Sequence, residues 1–475
     1  MQTSTWREWL YYHSPPILQA AWFNAHALSV ERHRYGPPYR ERLAWLVSRE
    51  RATPEAVGRY QDERARAMVG FAGEHSPYYR RLFREIGLDP QSVAGVDDLR
   101  KIPVTTKEQV RKHWAEFLTA KPHRSWLPGA TSGTTGTPLR MWYDREMCLL
   151  NNAVDRRNKL WAGAGSGDWF GVLLGRVVVD PRRARPPFWQ VNHVQRQVWF
   201  STFHLHPEHM GVMAAEAERR GLRFLEGYPS TLHVLARYLL DRGIRLPMTS
   251  VISSSETLHQ VQRDDIEEAF GCRLFDFYAS AERVIFAAEC DRHSGKHLIE
   301  EYGYVEVVDE GGQPVPAGQA GFLAGTTLHN TAMPLLRYRM GDVTQVDAGP
   351  CPCGRSGRLM ASVATKVEDL ITTPDGRRVS PSTLTHPFKT VHGVEMSQLV
   401  QERPDHLTVR VVVTEAFTAE EQARLIALLH DRVGDEMTIE VRRELDIPRE
   451  RSGKFRWVIS HVGLPTPGQH RGGAA

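Results

Sequence analysis

The sequence of 475 residues predicts an α/β protein: a large N-terminal domain of α/β layers with a β-rich part, then a small α+β C-terminal domain. Three observations predict it. Between about residue 125 and residue 282, apolar strand-like runs alternate with helical stretches, as in a sheet covered by helices. Residues 303–346 change to closely spaced strands with tight turns. The last hundred or so residues read as strand, strand, helix, strand. The length suits two or three domains. Composition is ordinary for a globular chain, with 41% hydrophobic and 24% charged residues.

The elements follow in order. Thr53-Pro54-Glu55 is a helix start, with a capping threonine and proline in the first turn, and Val57 to Gly73 continues it. His75-Ser76-Pro77-Tyr78-Tyr79 breaks that helix, and a short one then ends near Gly87. Phe170 to Asp180 reads as a β-rich stretch. His209 to Arg219 and Thr231 to Arg242 read as helices. Val251-Ile252 runs into Ser253-Ser254-Ser255-Glu256, and Leu274 to Tyr278 reads as a buried strand before Ala279-Ser280-Ala281-Glu282. Two polar loops thus follow apolar strands, where ligands gather in α/β sheets.

The β-rich part turns at Asp309 to Gly312 and at Pro316 to Gly318. In the last unit, Leu399 to Glu402 and Leu407 to Val413 bracket a hairpin at Arg403-Pro404-Asp405. Thr418-x-x-Glu421 is a capping box that opens a helix through Leu429, and Met437 to Val441 is a strand. The Pro- and Gly-rich tail, residues 464–475, is expected to be disordered.

Residues 131–138, Thr-Ser-Gly-Thr-Thr-Gly-Thr-Pro, carry the densest chemical signal. Glycines let backbone approach a polyanion. Successive N–H groups form an anion-binding concavity, and Ser132, Thr134 and Thr135 add hydroxyl donors. A nucleotide pyrophosphate is the natural ligand. No Gly-x-x-x-x-Gly-Lys-[Ser/Thr] run is present, so this is not the ordinary P-loop. A flexible Ser/Thr/Gly linker is the bland alternative.

Four segments accompany this octet: Phe277 to Glu282, Leu336 to Asp342, Lys366 to Asp369, and Arg451-Ser452-Gly453-Lys454. With their order and spacing, the chain resembles the adenylate-forming superfamily. Within it, Ser76 to Tyr79, Gly227 to Ser230 and Ser452 to Arg456 resemble the phenylacetate–CoA ligase branch and its capsular-polysaccharide relatives. The likeness runs from about residue 70 to about residue 460. It implies an AMP-forming acid ligase that uses ATP and Mg²⁺, makes an acyl-adenylate from a small carboxylic acid, and passes the acyl group to coenzyme A. An amine or a carrier protein is the alternative acceptor. A catalytically weak nucleotide-binding homologue is a further reading.

The resemblance also assigns residues. Ser132, Gly133, Thr134, Thr135, Gly136, Ser255, Glu256, Tyr278, Ala279, Ser280, Asp342 and Lys366 fall in nucleotide-binding segments. Thr135, Glu282 and Lys454 are the catalytic candidates. Glu282 would hold Mg²⁺, which prefers one or two carboxylates plus phosphate oxygens. Asp342 would accept hydrogen bonds from both ribose hydroxyls, and Tyr278 would stack on adenine. Lys454 would place a compact positive charge between carboxylate and α-phosphate. Glu368 marks the hinge, and the acid pocket would lie near His204, Tyr228 and Ser253. Taken singly, Glu282 reads as a surface carboxylate, Tyr278 as core, Asp342 as a turn residue and Lys454 as a solvated lysine. The chain departs from the superfamily where Lys366 replaces the usual hinge arginine, a fork that lysine does not reproduce, and where Leu139 replaces a frequent lysine.

Cys351-Pro-Cys353-Gly354 sets two thiols on one turn, and Cys290 opens Cys-Asp-Arg-His-Ser-Gly-Lys-His297. Three thiolates and one imidazole suit a closed tetrahedral zinc site. His297 fits the branch pattern better than His293, although either imidazole is a candidate ligand. Reduced structural cysteines or a redox Cys-x-Cys are the alternatives. Cys148 and Cys272 read as core residues.

The expected domains are 1–366 (a helical extension at 1–70, the zinc region within 290–355), a lid at 367–463, and the tail. With five cysteines and no leader-like or membrane-length apolar run, the cytoplasm is the expected location. Net charge is +4 with no clustered basic stripe, which argues against nucleic acid as partner.

Overall fold

The computed structural model describes residue 11 and residues 14–462, apart from 132–138, 166, 348, 362, 364–369, 380, 389 and 448–456, and apart from the side chains of 33, 378, 382 and 395. The chain forms two compact units, one built from residues up to Thr131 and from Leu139 to Thr365, the other from Lys366 onward.

The first unit begins with helices α1 (Pro16–Arg34), α2 (Pro37–Ser48), α3 (Pro54–His75) and α4 (Pro77–Glu85). The α3 start is as the sequence predicts: the Thr53 hydroxyl accepts from Ala56 N at 3.3 Å, with Pro54 in the first turn. Its buried face repeats at helical spacing through Val57, Gln61, Ala65, Met68, Val69 and Ala72. Ala65, Met68, Val69 and Ala72 join the cluster that holds Tyr79, Phe117 and Leu336. Position 70 therefore lies inside a core helix. Short helices α5 (Lys107–Lys112) and α6 (Trp114–Phe117) follow.

Strands β1 (Leu127–Ala130) and β2 (Arg140–Tyr143) form an antiparallel hairpin. After α7 (Arg145–Trp161) come β3 (Phe170–Leu173), β4 (Trp189–Asn192), β5 (Gln197–Phe200), α8 (Pro207–Arg219), β6 (Phe224–Gly227), α9 (Pro229–Asp241), β7 (Ser250–Ser254), α10 (Gln260–Phe270), β8 (Arg273–Ala279), β9 (Phe286–Glu289) and β10 (Lys296–Leu298). Next are β11 (Gly303–Val308), β12 (Gly321–Thr327), β13 (Tyr338–Thr344), β14 (Val346–Asp347) and β15 (Leu359–Met360). The main sheet has ten strands in the order β14-β15-β10-β9-β8-β7-β6-β3-β5-β4. Its centre, β5-β3-β6-β7-β8, is parallel, and antiparallel strands flank it.

The period of two along each strand covers both faces. Leu225, Val251 and Leu274 pack with Met210, Leu239 and Phe270 of the α8–α10 layer. Their neighbours Phe224, Ile252 and Phe275 pack on the opposite face with Ala162 and Ala164. The predicted run Phe170 to Asp180 is a strand only to Leu173. Leu173 pairs with Gly227, after which the neighbouring chain turns into α9. Beyond Leu173 the ladder with β6 does not continue.

Strands β11, β12 and β13 form a separate antiparallel sheet, and both predicted turns lie between β11 and β12. In the second unit a hairpin of β16 (Ile371–Thr372) and β17 (Arg378–Val379) precedes α11 (Pro381–Phe388), β18 (Val394–Arg403), β19 (His406–Val413), α12 (Ala419–Val433), β20 (Thr438–Arg443) and β21 (Val458–Ser460). Four of these strands make a sheet in the order β20-β19-β18-β21 against α12. The capping box is only half present: Thr418 accepts from Glu421 N at 3.3 Å, while the Glu421 carboxylate takes His392 N at 3.0 Å. The tail lies outside the described residues.

Candidate functional site

The hairpin of β1 and β2 flanks the octet. Thr131 N donates to Leu139 O at 3.0 Å, and Leu139 N donates to Thr131 Oγ1 at 2.9 Å, so its two ends are locked together. Ser132, Gly133, Thr134, Thr135 and Gly136 lie outside the described residues, as do Lys366, Glu368 and Lys454. The hairpin is tied to the loop after β8, because the Tyr143 hydroxyl donates to Ala281 O at 2.5 Å.

That loop carries Glu282. Strand β8 ends with Tyr278 and Ala279, and a tight turn follows: Ser280 N donates to Ile285 O at 3.2 Å, Arg283 N donates to Ser280 O at 3.0 Å, and Arg283 has φ +57°. Strand β13 faces the turn. Tyr278 donates its hydroxyl to Asp342 Oδ2 at 2.7 Å, and Tyr338 donates to Glu282 Oε1 at 3.0 Å. Residues that lie 56 and 64 positions apart are thus paired. Tyr338 was not singled out by the sequence, although it lies within Leu336 to Asp342.

Burial raises the Glu282 carboxyl above its usual range, and Asp342 adds to this; Lys107, its own backbone and the Tyr338 hydroxyl pull it back. Burial, then the Asp342 charge, pushes the Tyr278 phenol well above 10. Lys107 starts α5 beside β13, because Thr105 N donates to Arg337 O at 2.9 Å and Arg339 N returns to Thr105 O at 2.9 Å. A buried carboxylate near a second carboxylate is poised for a cation with oxygen preference.

Arg337 anchors this strand. Its Nε and a terminal nitrogen donate to the two Glu306 oxygens at 3.0 and 3.1 Å, and further donors reach Ile102 O at 2.7 Å and Gly312 O at 2.8 Å. Arg337 itself has φ +46°, a conformation that costs about 1 kcal/mol or more and needs support from its surroundings.

Just after the neighbouring strand β7, Ser255 has φ +71°. Glu256 accepts from Ser230 N at 3.1 Å, at the N-terminus of α9. Tyr228 stands at the N-cap position of that helix without a side-chain capping bond, and burial, with Glu256 second, raises its phenol to about 12. The other two acid-pocket candidates are bound into the scaffold. Ser253 is fully buried and donates to Asp276 Oδ1 at 2.6 Å. His204 is buried, with its ring nitrogens 2.8 Å from Ser201 Oγ and 2.9 Å from Arg183 O, and it stacks on Phe188. The polar atoms of both are held by neighbouring residues.

The cysteine motifs meet. Ligand atoms of Cys290, His297, Cys351 and Cys353 all lie within 4.8 Å of one another, and no disulfide links the thiols. Cys290 and Cys351 sulfurs are 3.7 Å apart, and Cys353 Sγ lies 3.4 Å from His297 Nε2. Zn–S bonds of about 2.3 Å at tetrahedral angles put sulfurs about 3.8 Å apart, so the spacing fits. His297 Nδ1 sits 2.9 Å from Ser356 O, which leaves Nε2 as the lone pair facing the thiols. His293 turns away to Glu289, at 3.0 Å.

The chain has the fold of the acyl-CoA ligases: a solved 2-hydroxyisobutyryl-CoA ligase, in complex with 2-HIB-AMP and CoA, superposes with a TM-score of 0.58 at 22% identity, over 87% of this chain and 91% of that one. Its homologues are phenylacetate–CoA ligases and CapK. Phenylacetate-coenzyme A ligase of Thermus thermophilus is 28% identical, over 85% of this chain and 96% of its own. Protein CapK of Staphylococcus aureus is 25% identical, over 96% of this chain and 99% of its own. The CapK C-terminal domain family matches residues 371–461.

Proposed function

We propose that this protein is an ATP-dependent acid–CoA ligase. The observation that carries the reading is the convergence of Tyr278, Glu282 and Asp342, on β8, its following loop and β13, beside the closed hairpin. Similarity to phenylacetate–CoA ligases along most of their length supports it.

A carboxylate oxygen attacks the α-phosphorus of ATP, the α–β phosphoanhydride bond breaks, and pyrophosphate leaves. Both reactants are anions, so catalysis must supply positive charge and alignment. The hydroxyl–glycine residues Ser132 to Gly136 cradle phosphate, Asp342 takes the ribose hydroxyls, and Tyr278 lies against the base. Glu282 is the ligand for Mg²⁺, which neutralises phosphate charge when bound. Lys454 bridges the carboxylate and the α-phosphate. The second step needs a thiol: the sulfur of coenzyme A attacks the acyl carbon, the bond to AMP breaks, and the thiol proton departs. Motion of the small domain about Glu368 would withdraw Lys454 for this step. Cys290, His297, Cys351 and Cys353 hold a structural Zn²⁺.

The match to CapK over nearly the whole chain favours a second reading, transfer of the acyl group to an amine or a carrier protein in polysaccharide assembly. Pyrophosphate exchange with aryl and aliphatic acids tests the first half-reaction. Lys454→Ala is expected to abolish exchange while ATP still binds; unchanged exchange refutes the mechanism. ATP binding without exchange for any acid points to a catalytically weak homologue. Supplying coenzyme A, amines or carrier protein to the loaded enzyme then identifies the acceptor.

A further inference from the structure

A row of buried ionic groups crosses the main sheet from the cysteine cluster to the loop after β7. Cys290 directly follows Glu289 at the end of β9, and His297 directly follows Lys296 in β10. Lys296 Nζ lies 3.0 Å from Asp276 Oδ2. Glu289 Oε2 accepts from Asp276 N at 3.1 Å, and its other oxygen takes Arg263 at 2.7 Å. His293, in the loop between the ligands, also reaches Glu289. On its far side Asp276 accepts from the Ser253 hydroxyl at 2.6 Å, directly across the parallel register of β7 and β8. Side chains of Lys296, Asp276, Glu289 and His293 are each at most 8% exposed.

This is an expensive arrangement. Burying paired charges gains little stability over apolar residues of the same size, and Asp276 and Ser253 sit on parallel strands, which are ordinarily apolar. Its end point is informative. Ser253 is two residues before Ser255, whose left-handed backbone must be held from outside. Glu256 fixes the far side of that residue through Ser230 N. Ser253, through Asp276, fixes the near side.

We propose that Asp276, Lys296 and Glu289 are positioning residues that transmit the order of the metal-bound Cys290–His297 loop to the nucleotide-binding loop Ser254–Glu256. A tetrahedral ion joins the ends of β9 and β10 to Cys351 and Cys353. This holds Lys296 and Glu289 on Asp276, Asp276 holds Ser253, and the strained turn stays in its binding conformation. The inference rests on reading residues 254–256 as nucleotide-facing.

The test uses full-length protein loaded with Zn²⁺, or stripped by a chelator, with metal release followed by a metallochromic dye. Amide hydrogen exchange across residues 250–258 and the dissociation constant for ATP are the two readouts. Stripping is expected to raise exchange in that segment and weaken ATP by about fivefold or more, the range of a genuine site-to-site coupling. Asp276→Asn, loaded with Zn²⁺, is expected to show the exchange of stripped wild type, and its ATP affinity no longer responds to metal. Ser253→Ala, which removes one hydroxyl, repeats the measurement if Asp276→Asn does not fold. Unchanged exchange on stripping, coupling that persists in the variants, or failure to take up Zn²⁺ overturns the inference. If loaded wild type binds no ATP, the functional reading falls, while hydrogen exchange still decides the coupling.

Discussion

Glu306→Gln tests the scaffold beneath the site. Arg337 is fully buried, and the structure gives all its donor nitrogens acceptors: two Glu306 oxygens and the carbonyls of Ile102 and Gly312, with Arg100 O at 3.5 Å. Glutamine keeps the shape but removes the negative charge and turns one acceptor into an amide donor facing an N–H. Removing one partner of a buried pair strands the other charge, which costs about 3–5 kcal/mol. The loss falls on the first unit, which holds every tryptophan of the twelve except Trp457. Tryptophan fluorescence in a urea titration therefore reads it. The expected result is an earlier first-unit transition and a deficit of about 3–5 kcal/mol. Replacing both partners, Glu306→Leu with Arg337→Met, recovers part of it, because no charge is then stranded. It stays below wild type because the Ile102 and Gly312 carbonyls lose their donor, at about 1–3 kcal/mol each. Adenylation should fall too, because Arg337 adjoins Tyr338, whose hydroxyl holds Glu282. A Glu306→Gln deficit within about 1 kcal/mol of zero, or a double variant less stable than the single one, refutes the clasp as an anchor.

Further predictions concern neighbouring contacts. Tyr278→Phe removes the hydroxyl that Asp342 accepts at 2.7 Å; with charged hydrogen bonds at about 1.5–3 kcal/mol, KM for ATP should rise about tenfold in pyrophosphate exchange while kcat changes far less. An added Cβ at Gly303 would sit 2.1 Å from Val284 O, in the turn carrying Glu282. Gly303→Ala should therefore lower kcat and cost about 1–3 kcal/mol of stability. Burial, then Arg64, depresses His329 to about 3, and its Nε2 lies 2.8 Å from Glu301 O. The unfolded chain takes up this proton near pH 6.5 and the native one does not. The contribution is full above that pH and is lost as pH falls toward 3. Urea midpoints measured from pH 7 to 4 should decline less for His329→Gln than for wild type.

The sequence by itself determined the elements and the chemical inventory. Capping threonine and Pro54 set the start of α3, the run Leu274 to Tyr278 marked β8, and the Cys-x-Cys turn set two thiols side by side, because these signals are local. What only the tertiary structure decided is which distant groups meet. Nothing local to Tyr338 announces Glu282, and nothing in Glu289 or Lys296 announces Asp276, because cross-strand partners are chosen by sheet order. Strand length was decided in the same way. Val177, Val178 and Val179 have high strand propensity, yet β3 stops at Leu173, since the chain opposite it leaves the sheet at Gly227 to become α9. Propensity proposes a strand, but a backbone row of donors and acceptors becomes one only where another row lies beside it.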